Sequence, residues 1–475
     1  MIVLKDVQTR ALAKSNGCVG FAYFMEMGLG KTLTATADFL ERVAEGKADI
    51  CVVVCPNSFK TGWKEEIIKH GINITTQVFE SGGVDHVYWA NKKHNVPMML
   101  IVNYEAIRSE KTREFIRWLI RDKKGFLVLD ESIQIKTHNS IQTKAALELS
   151  KLFYYVRILS GKPITQGPHD LWAQLRAIKK LEGWNFYSFR GRFCKMGGWQ
   201  GKQVIGPKNE EQLAQMLEPH VFRASKVEWT DLPPKTYTTR SYNLTPNLMR
   251  HYKSMEEEFM VFLESDRVAV DVAITKYIKL AQIQSGFIIN EDGEIKELVP
   301  PDENPRLKVL VDTIRDEVTG KVVVPYFHRY AGKILWDAFK AAGWDPTAIT
   351  GGMEPEEIEA HKLKFNTSKS SRVIICQIRA AKYGHTLLGL NDPEHRCATT
   401  MFFENTYSLD DRSQIEDRNH RFGQESDSVL YVDLVGTPLD ARVIRALQNK
   451  ESVFQSVFAK IRTNVLSSQK TDLTA

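Results

Sequence analysis

The chain has 475 residues, of which 43% are hydrophobic and 26% charged, and its net charge is +6. That length implies two or three domains rather than one core, and the composition excludes a disordered chain. No apolar run approaches the roughly 18 residues of a membrane-spanning helix, and the mild positive charge permits a polyanionic partner without requiring one.

The first residues, MIVLKDVQTRALAKSNG, lack a long apolar stretch with a small-residue cleavage site, so no secretory leader is expected. Cys18, Cys51, Cys55, Cys194, Cys376 and Cys397 lack the paired spacing of a zinc site, so free thiols of an intracellular protein are expected.

The most informative stretch runs from Gly20 to Val43. An apolar run, Phe21 to Met25, leads into a glycine turn, Gly28-Leu29-Gly30, then Lys31-Thr32 and a helical pattern through Leu33, Ala37, Leu40 and Val43. Strand, glycine turn and helix form the context of a phosphate-binding loop. The glycines let backbone N–H groups cradle an anion, and the helix start adds partial positive charge. Lys31 then reaches the β/γ-phosphates and Thr32 holds Mg2+. Met25 stands where the strict pattern has its first glycine. A glycine turn with a solvated lysine is the plainer alternative.

Further apolar runs predict strands at Ile50–Cys55, Met98–Val102, Phe126–Leu129 and Tyr155–Leu159, with helices at Leu33–Ala44 and Thr143–Leu149 among them. This alternation predicts an α/β fold, a parallel sheet covered by helices on both faces. The strands are followed by MEMGLGKT, PNSFKTGW, NYEAI, DESIQIK and SGKPITQG, five loops on one sheet edge, where such sheets bind ligands. FLVLDES ends in two acids. Strand alternation is expected to send Asp130 and Glu131 in different directions, Asp130 toward Mg2+ and Glu131 toward the attacking water, the two roles that phosphoryl transfer needs.

Between Arg176 and Lys208 stand eight Lys/Arg, one acid (Glu182), and Trp184, Phe186, Tyr187, Phe189, Phe193 and Trp199. Two readings stay open: a helical segment with a solvated basic face, or a surface that tracks a phosphate backbone. Asp231–Lys235, DLPPK, reads as a linker. The second half predicts strands at Val322–Pro325, Arg372–Cys376, Thr399–Phe403 and Val429–Leu434. It predicts helices at Tyr330–Ala341, Glu356–Lys364 and Asp440–Phe458, after a mainly helical Leu244–Lys308 containing Tyr252, Met255, Phe259 and Phe262. In QIEDRNHRFGQ, Arg418 and Arg421 share a face three residues apart and suit triphosphate oxygens.

Taken together, these segments resemble the Swi/Snf family of helicase superfamily two, in order and almost end to end. Gln8 in LKDVQTRAL is similar to the family's adenine-reading glutamine, and MEMGLGKT to motif I. PNSFKTGWKEE and NYEAI resemble motifs Ia and Ib. DESIQIKTHNS resembles the DEAH-type motif II, with Ser132, Ile133 and Gln134 as departures. ILSGKPITQGPHDLWAQL resembles motif III, with Ser160 and Lys162 in place of threonines. NFYSFRGRFCK through FRASKVEWTDLPPK is similar to the annealing-helicase branch; Arg223 and Lys226 match its signature and Ala224 does not. KVVVPYFHRYAGKIL resembles motif IV, and Ile349–Gly352 the ITG segment after it. QIRAAKYGHTLLGL resembles motif V, with Lys382 as a departure, and QIEDRNHRFGQ motif VI.

The resemblance implies two RecA-like lobes, residues 1–232 with the basic aromatic segment at about 176–225, and 233–475 with a helical insertion at about 244–310. It implies a DNA-stimulated ATPase that translocates on duplex DNA without sequence preference. ATP and Mg2+ would lie between the lobes, with Gln8, Gly28, Gly30, Lys31, Thr32 and Gln414 contacting nucleotide. Lys31, Asp130, Glu131, Arg418 and Arg421 would be catalytic, and Thr32 and Asp130 would hold Mg2+. Lys60, Thr61, Tyr104, Thr350, Arg379, Gly384 and Thr386 would touch DNA. A strand-separating or branch-remodelling helicase, and a non-hydrolysing ATP- and DNA-binding clamp, are the alternatives. No membrane partner is expected. The bare motor suits a bacterial or viral source and a cytoplasmic place.

Overall fold

A computed structural model describes residues 3–79, 96–181, 183–197, 203–264, 278–381 and 385–459, the side chains of 258–264 and 453–459 excepted. The chain forms two units: Met1–Asp231 with the residues from Asn449 onward, and Leu232–Gln448. The expected second lobe, 233–475, therefore ends earlier, because the tail of the last helix, Pro438–Ala459, groups with the first unit.

In the first unit, seven strands form one parallel sheet among the described residues: β1 (Gly20–Met25), β2 (Ile50–Cys55), β3 (Thr75–Val78), β4 (Met98–Asn103), β5 (Gly125–Leu129), β6 (Tyr155–Leu159) and β9 (Val221–Ala224). Their order is β3-β4-β2-β5-β6-β1-β9. Both faces are covered: Ala22 and Phe24 of β1 enter one core, while Phe21, Tyr23 and Met25 enter the other. That is why these strands read as continuous apolar runs rather than alternating ones. The five loops of the sequence reading leave the same edge of this sheet.

Three helices set up that edge. α1 (Asp6–Ser15) precedes β1, α2 (Lys31–Ala44) follows the glycine turn, and α3 (Lys60–Lys69) follows β2. α2 is anchored by Asp38, which is fully buried. Its carboxylate accepts from Tyr23 Oη of β1 (2.6 Å), Arg157 Nε of β6 (2.6 Å) and Arg42 Nε (3.4 Å). Arg157 is likewise fully buried.

The segment between Arg176 and Ala224 is not the helical block expected. A helix at Phe186–Phe193 leads into an antiparallel hairpin, β7 (Cys194–Gly197) with β8 (Gln203–Pro207), then a helix at Glu210–Leu217 and the edge strand β9. Glu182 and Trp199 lie outside the described residues.

The second unit carries a six-stranded parallel sheet of order β10-β17-β16-β13-β15-β14. The strands are β10 (Lys235–Ser241), β13 (Val322–Tyr326), β14 (Thr347–Ile349), β15 (Val373–Gln377), β16 (Thr399–Phe402) and β17 (Val429–Val435). β10 begins inside the expected linker and pairs with β17 along seven residues. Its polar sequence is held by Glu416, which accepts from Lys235 Nζ and Tyr237 Oη, each at 3.0 Å. The insertion is helical at Pro246–Glu264 and Pro305–Asp316, but between them stands a hairpin, β11 (Phe287–Ile289) with β12 (Ile295–Glu297). The side chains of Phe259, Phe262 and Phe458 are not described.

Removing the Asp38 charge leaves the Arg157 guanidinium buried without its counter-ion, and breaking a buried pair from one side costs about 3–5 kcal/mol. Asp38→Asn should therefore lower the first thermal unfolding transition by several degrees. An unchanged transition would show that the pair does not hold α2 on the sheet.

Candidate nucleotide site and nucleic-acid-facing loops

The site of the first unit begins with the glycine turn after β1. Gly28 and Gly30 have φ of +87° and +78°, a region that disfavours side chains. A Cβ on Gly30 would lie 2.2 Å from Gln8 Nε2, so the turn also needs glycine for space. The Gln8 amide sits in the turn itself, giving Nε2–H to the Gly30 carbonyl (3.1 Å) and taking the Lys5 N–H on Oε1 (2.7 Å). Gln8 is thus buried against backbone, and only the second N–H and lone pair of its amide remain for a base.

α2 starts at Lys31 with no acid in its first turn, so nothing opposes the positive end of its dipole. Lys31 Nζ donates to the Met25 carbonyl at 2.9 Å. Thr32 stands beside it, half-buried.

Asp130 and Glu131 lie just past β5. Alternation does not separate them, since the strand ends at Leu129. Glu131 instead adopts the left-handed conformation, φ 49° and ψ 55°. For a non-glycine residue this costs on the order of 1 kcal/mol or more, a strain typical of functional turns.

Both acids are buried. Asp130 Oδ2 accepts the Trp63 indole N–H (2.8 Å) and Oδ1 the Glu131 N–H (2.9 Å). Burial pushes the Asp130 pKa above the usual carboxylate range, against the Trp63 bond, the Lys31 charge and the Glu131 N–H, which pull it down. A buried carboxyl near the lysine at a helix start, with the Thr32 hydroxyl next along the chain from that lysine, has the chemistry of donors that would hold Mg2+ on a triphosphate.

The acids are wired to the next loop. Ser132 Oγ donates to Gln174 Oε1 (2.7 Å), whose Nε2 donates to the Pro163 and Asp170 carbonyls. Lys136 Nζ donates to Thr165 Oγ1 (2.8 Å), and the Asp170 carboxylate accepts the Thr165 and Gln166 N–H groups.

Tyr104 is a correction. Expected to face DNA, it is buried, and its hydroxyl donates to the Asp130 carbonyl at 2.9 Å. It braces the acid instead of meeting a polymer. Lys60 is half-buried, with Nζ on the Phe79 carbonyl (3.1 Å), and Thr61 is exposed on the same turn of α3.

Trp63 was not singled out from sequence, and Lys226 was noted only as a match to a family signature. Trp63 reaches Asp130 across 67 positions of chain. Lys226 is buried beside the glycine turn, its Cε 3.9 Å from where a Gly28 Cβ would stand, and its N–H is held by Glu26 Oε2 (2.9 Å). The RxxK pattern of Arg223 to Lys226 was the available signal for the second.

In the second unit, Arg418 is fully buried. Nε donates to the Gln414 carbonyl (2.7 Å) and Nη1 to the His385 carbonyl (3.0 Å). Arg421 is less buried; Nη1 donates to the same His385 carbonyl and to Thr386 Oγ1, each at 2.9 Å. The two arginines therefore converge on one carbonyl, and Arg418 braces this turn. Gln414 gives Nε2–H to Asp410 (2.9 Å), and its buried Oε1 has no hydrogen-bond partner among the described residues. Thr350 follows β14 and Arg379 follows β15, neighbouring strands, so both lie at one sheet edge. Arg379 is exposed over the Phe327 ring at 4.9 Å, and Thr386 is exposed. Gly384 and Lys382 lie outside the described residues.

A glycine turn into a helix, its lysine, and two buried acids at the same edge of a parallel sheet define a P-loop nucleoside triphosphatase. Residues 13–287 match the SNF2-related domain, and the chain belongs to that family of helicase-type ATP hydrolases. A Caenorhabditis elegans homolog of SWI/SNF-related matrix-associated actin-dependent regulator of chromatin subfamily A-like protein 1 is 28% identical over 437 residues, covering 86% of this chain and 55% of that protein. An uncharacterized ATP-dependent helicase of Mycoplasma genitalium is 23% identical over 447 residues, covering 92% of this chain and 40% of that protein. The chain thus spans about half the length of these relatives. Among solved structures, the Sulfolobus solfataricus SWI2/SNF2 ATPase core in complex with dsDNA is 21% identical over 98% of this chain and 96% of its own, with a TM-score of 0.42.

Trp63→Phe removes a donor from the ionised Asp130 and should raise its pKa further. A carboxylate that must be ionised to hold the cation would then need higher pH. The acidic limb of ATP hydrolysis against pH should move to higher pH; an unmoved limb would show that Trp63 only packs.

Proposed function

We propose that the chain is a DNA translocase that hydrolyses ATP·Mg2+ to move along duplex DNA. The observation that carries the ATP half is the convergence of Lys31, the start of α2, Asp130 and Glu131 on one sheet edge of the first unit. Lys31 neutralises the terminal phosphates, and Thr32 and Asp130 hold Mg2+, which supplies charge neutralisation at the phosphates. Glu131, set by its left-handed turn, orients the attacking water. Gln8 offers the remaining half of its amide to the base.

Within the second unit, Arg421 is less buried than Arg418 and has the free geometry of a phosphate-binding arginine, with Arg418 and the His385 carbonyl positioning it. The DNA half is supported by family membership and by exposed polar residues at the sheet edges, Thr61 in the first unit and Arg379 and Thr386 in the second. Contacts from such residues go to phosphates, so binding should weaken with salt and show little sequence preference.

ATP hydrolysis with no nucleic acid, single strand, duplex, fork and RNA tests the reading. Duplex should stimulate most, and duplex translocation should displace a third strand from a triplex. Glu131→Gln should lower turnover on the order of 10²–10⁴-fold while ATP still binds. Equal hydrolysis by wild type and variant would refute the role of Glu131. Strand separation on forks without triplex displacement would replace translocation with unwinding.

A further inference from the structure

The basic aromatic segment contributes nothing to the nucleotide site, yet it builds a defined surface. In the helix Phe186–Phe193, the Phe186 ring turns inward and lies flat on the His138 imidazole, with centroids 3.6 Å apart and planes 4° apart. Trp172 stands edge-on to it at 5.8 Å. His138 belongs to the segment that follows Asp130 and Glu131, so this pedestal stands on the first unit's main body. Asn185 caps the helix by accepting the Ser188 N–H (2.9 Å).

Tyr187 turns outward from this pedestal and is 66% exposed. Arg190, one turn along, places its guanidinium 5.5 Å from the centres of both the Phe186 and Tyr187 rings. Arg192 in the same helix, Lys195 in the hairpin and Lys208 just after it are exposed; Arg192 Nε donates to Gln212 (2.6 Å). Glu210 and Glu211 follow the stretch, in the first turn of the next helix.

An exposed ring on a rigid base, next to a guanidinium, meets two demands at once. Its face suits a nucleobase, and its rim suits phosphates. A partner made of apolar side chains would leave the four cations unanswered. An intact duplex hides its base faces in the stack and cannot use the ring. We propose that Tyr187 and Arg190 form a stacking site for an unpaired base of single-stranded DNA, with Arg192, Lys195 and Lys208 receiving the flanking phosphates. This rests on the reading of DNA as the polymer and adds a second, strand-selective contact to it.

Fluorescence anisotropy with labelled oligothymidine and with a duplex of equal length tests the site. Tyr187→Ala should weaken single-strand binding about ten-fold, Tyr187→Trp should keep it, and Arg190→Ala should weaken it. Duplex affinity and duplex-stimulated ATP hydrolysis should not change, which also reports that the variants are folded. Equal loss on both polymers, or no loss on the single strand, overturns the proposal. Wild-type protein that binds duplex but no single strand overturns it too and leaves the motor reading intact. If no polymer stimulates hydrolysis while Tyr187→Ala still loses oligothymidine, the motor reading fails and this site stands.

Discussion

Asp130 is hidden from water, faces Lys31, and is held by one indole N–H and one backbone N–H. A carboxylate so placed is poorly solvated, and desolvation favours its neutral form. In the proposed function a divalent cation would supply the missing charge. Much of the first unit serves this one balance. β5 carries the acid to the sheet edge, Tyr104 pins its carbonyl, Trp63 holds its carboxylate, and Asp38 fixes the helix that brings Lys31 opposite.

One departure from the family pattern falls beside this centre. Ser132 stands where alanine is usual, and its hydroxyl is used: through Gln174 it reaches the carbonyls of Pro163 and Asp170 in the next loop. Lys136 adds a second tie to Thr165. The two loops are thus joined by side-chain bonds between buried or half-buried groups, which are strong where water is excluded. A rigid link of this kind is a physical route by which a change at the acids could be felt at the following loop.

What the sequence revealed follows burial. Strands such as ICVVVC and FLVL were legible because both faces are covered, so their residues are apolar throughout. TTQV of β3 and KTYTTRS of β10 were not, because they are edge strands whose polar residues look like loop; β10 is stabilised by Lys235 and Tyr237 on Glu416, a partner about 180 residues away. The hairpin of β7 and β8 was hidden by a composition that suits a helix as well. At the site, the glycine turn, Lys31 and the acid pair were legible because their chemistry depends on local spacing. The burial of Tyr104 and Arg418, and the approach of Trp63 and Lys226, depend on packing between distant segments, which no local pattern encodes.

The central claim is that Asp130 holds the cation which brings the triphosphate to Lys31. Binding of a fluorescent ATP analogue, titrated with and without Mg2+, tests it most directly in wild type and Asp130→Asn. The account predicts that Mg2+ tightens binding in wild type, that the variant loses this increment, and that both bind equally without the metal. A variant that keeps the full Mg2+-dependent increment would contradict it.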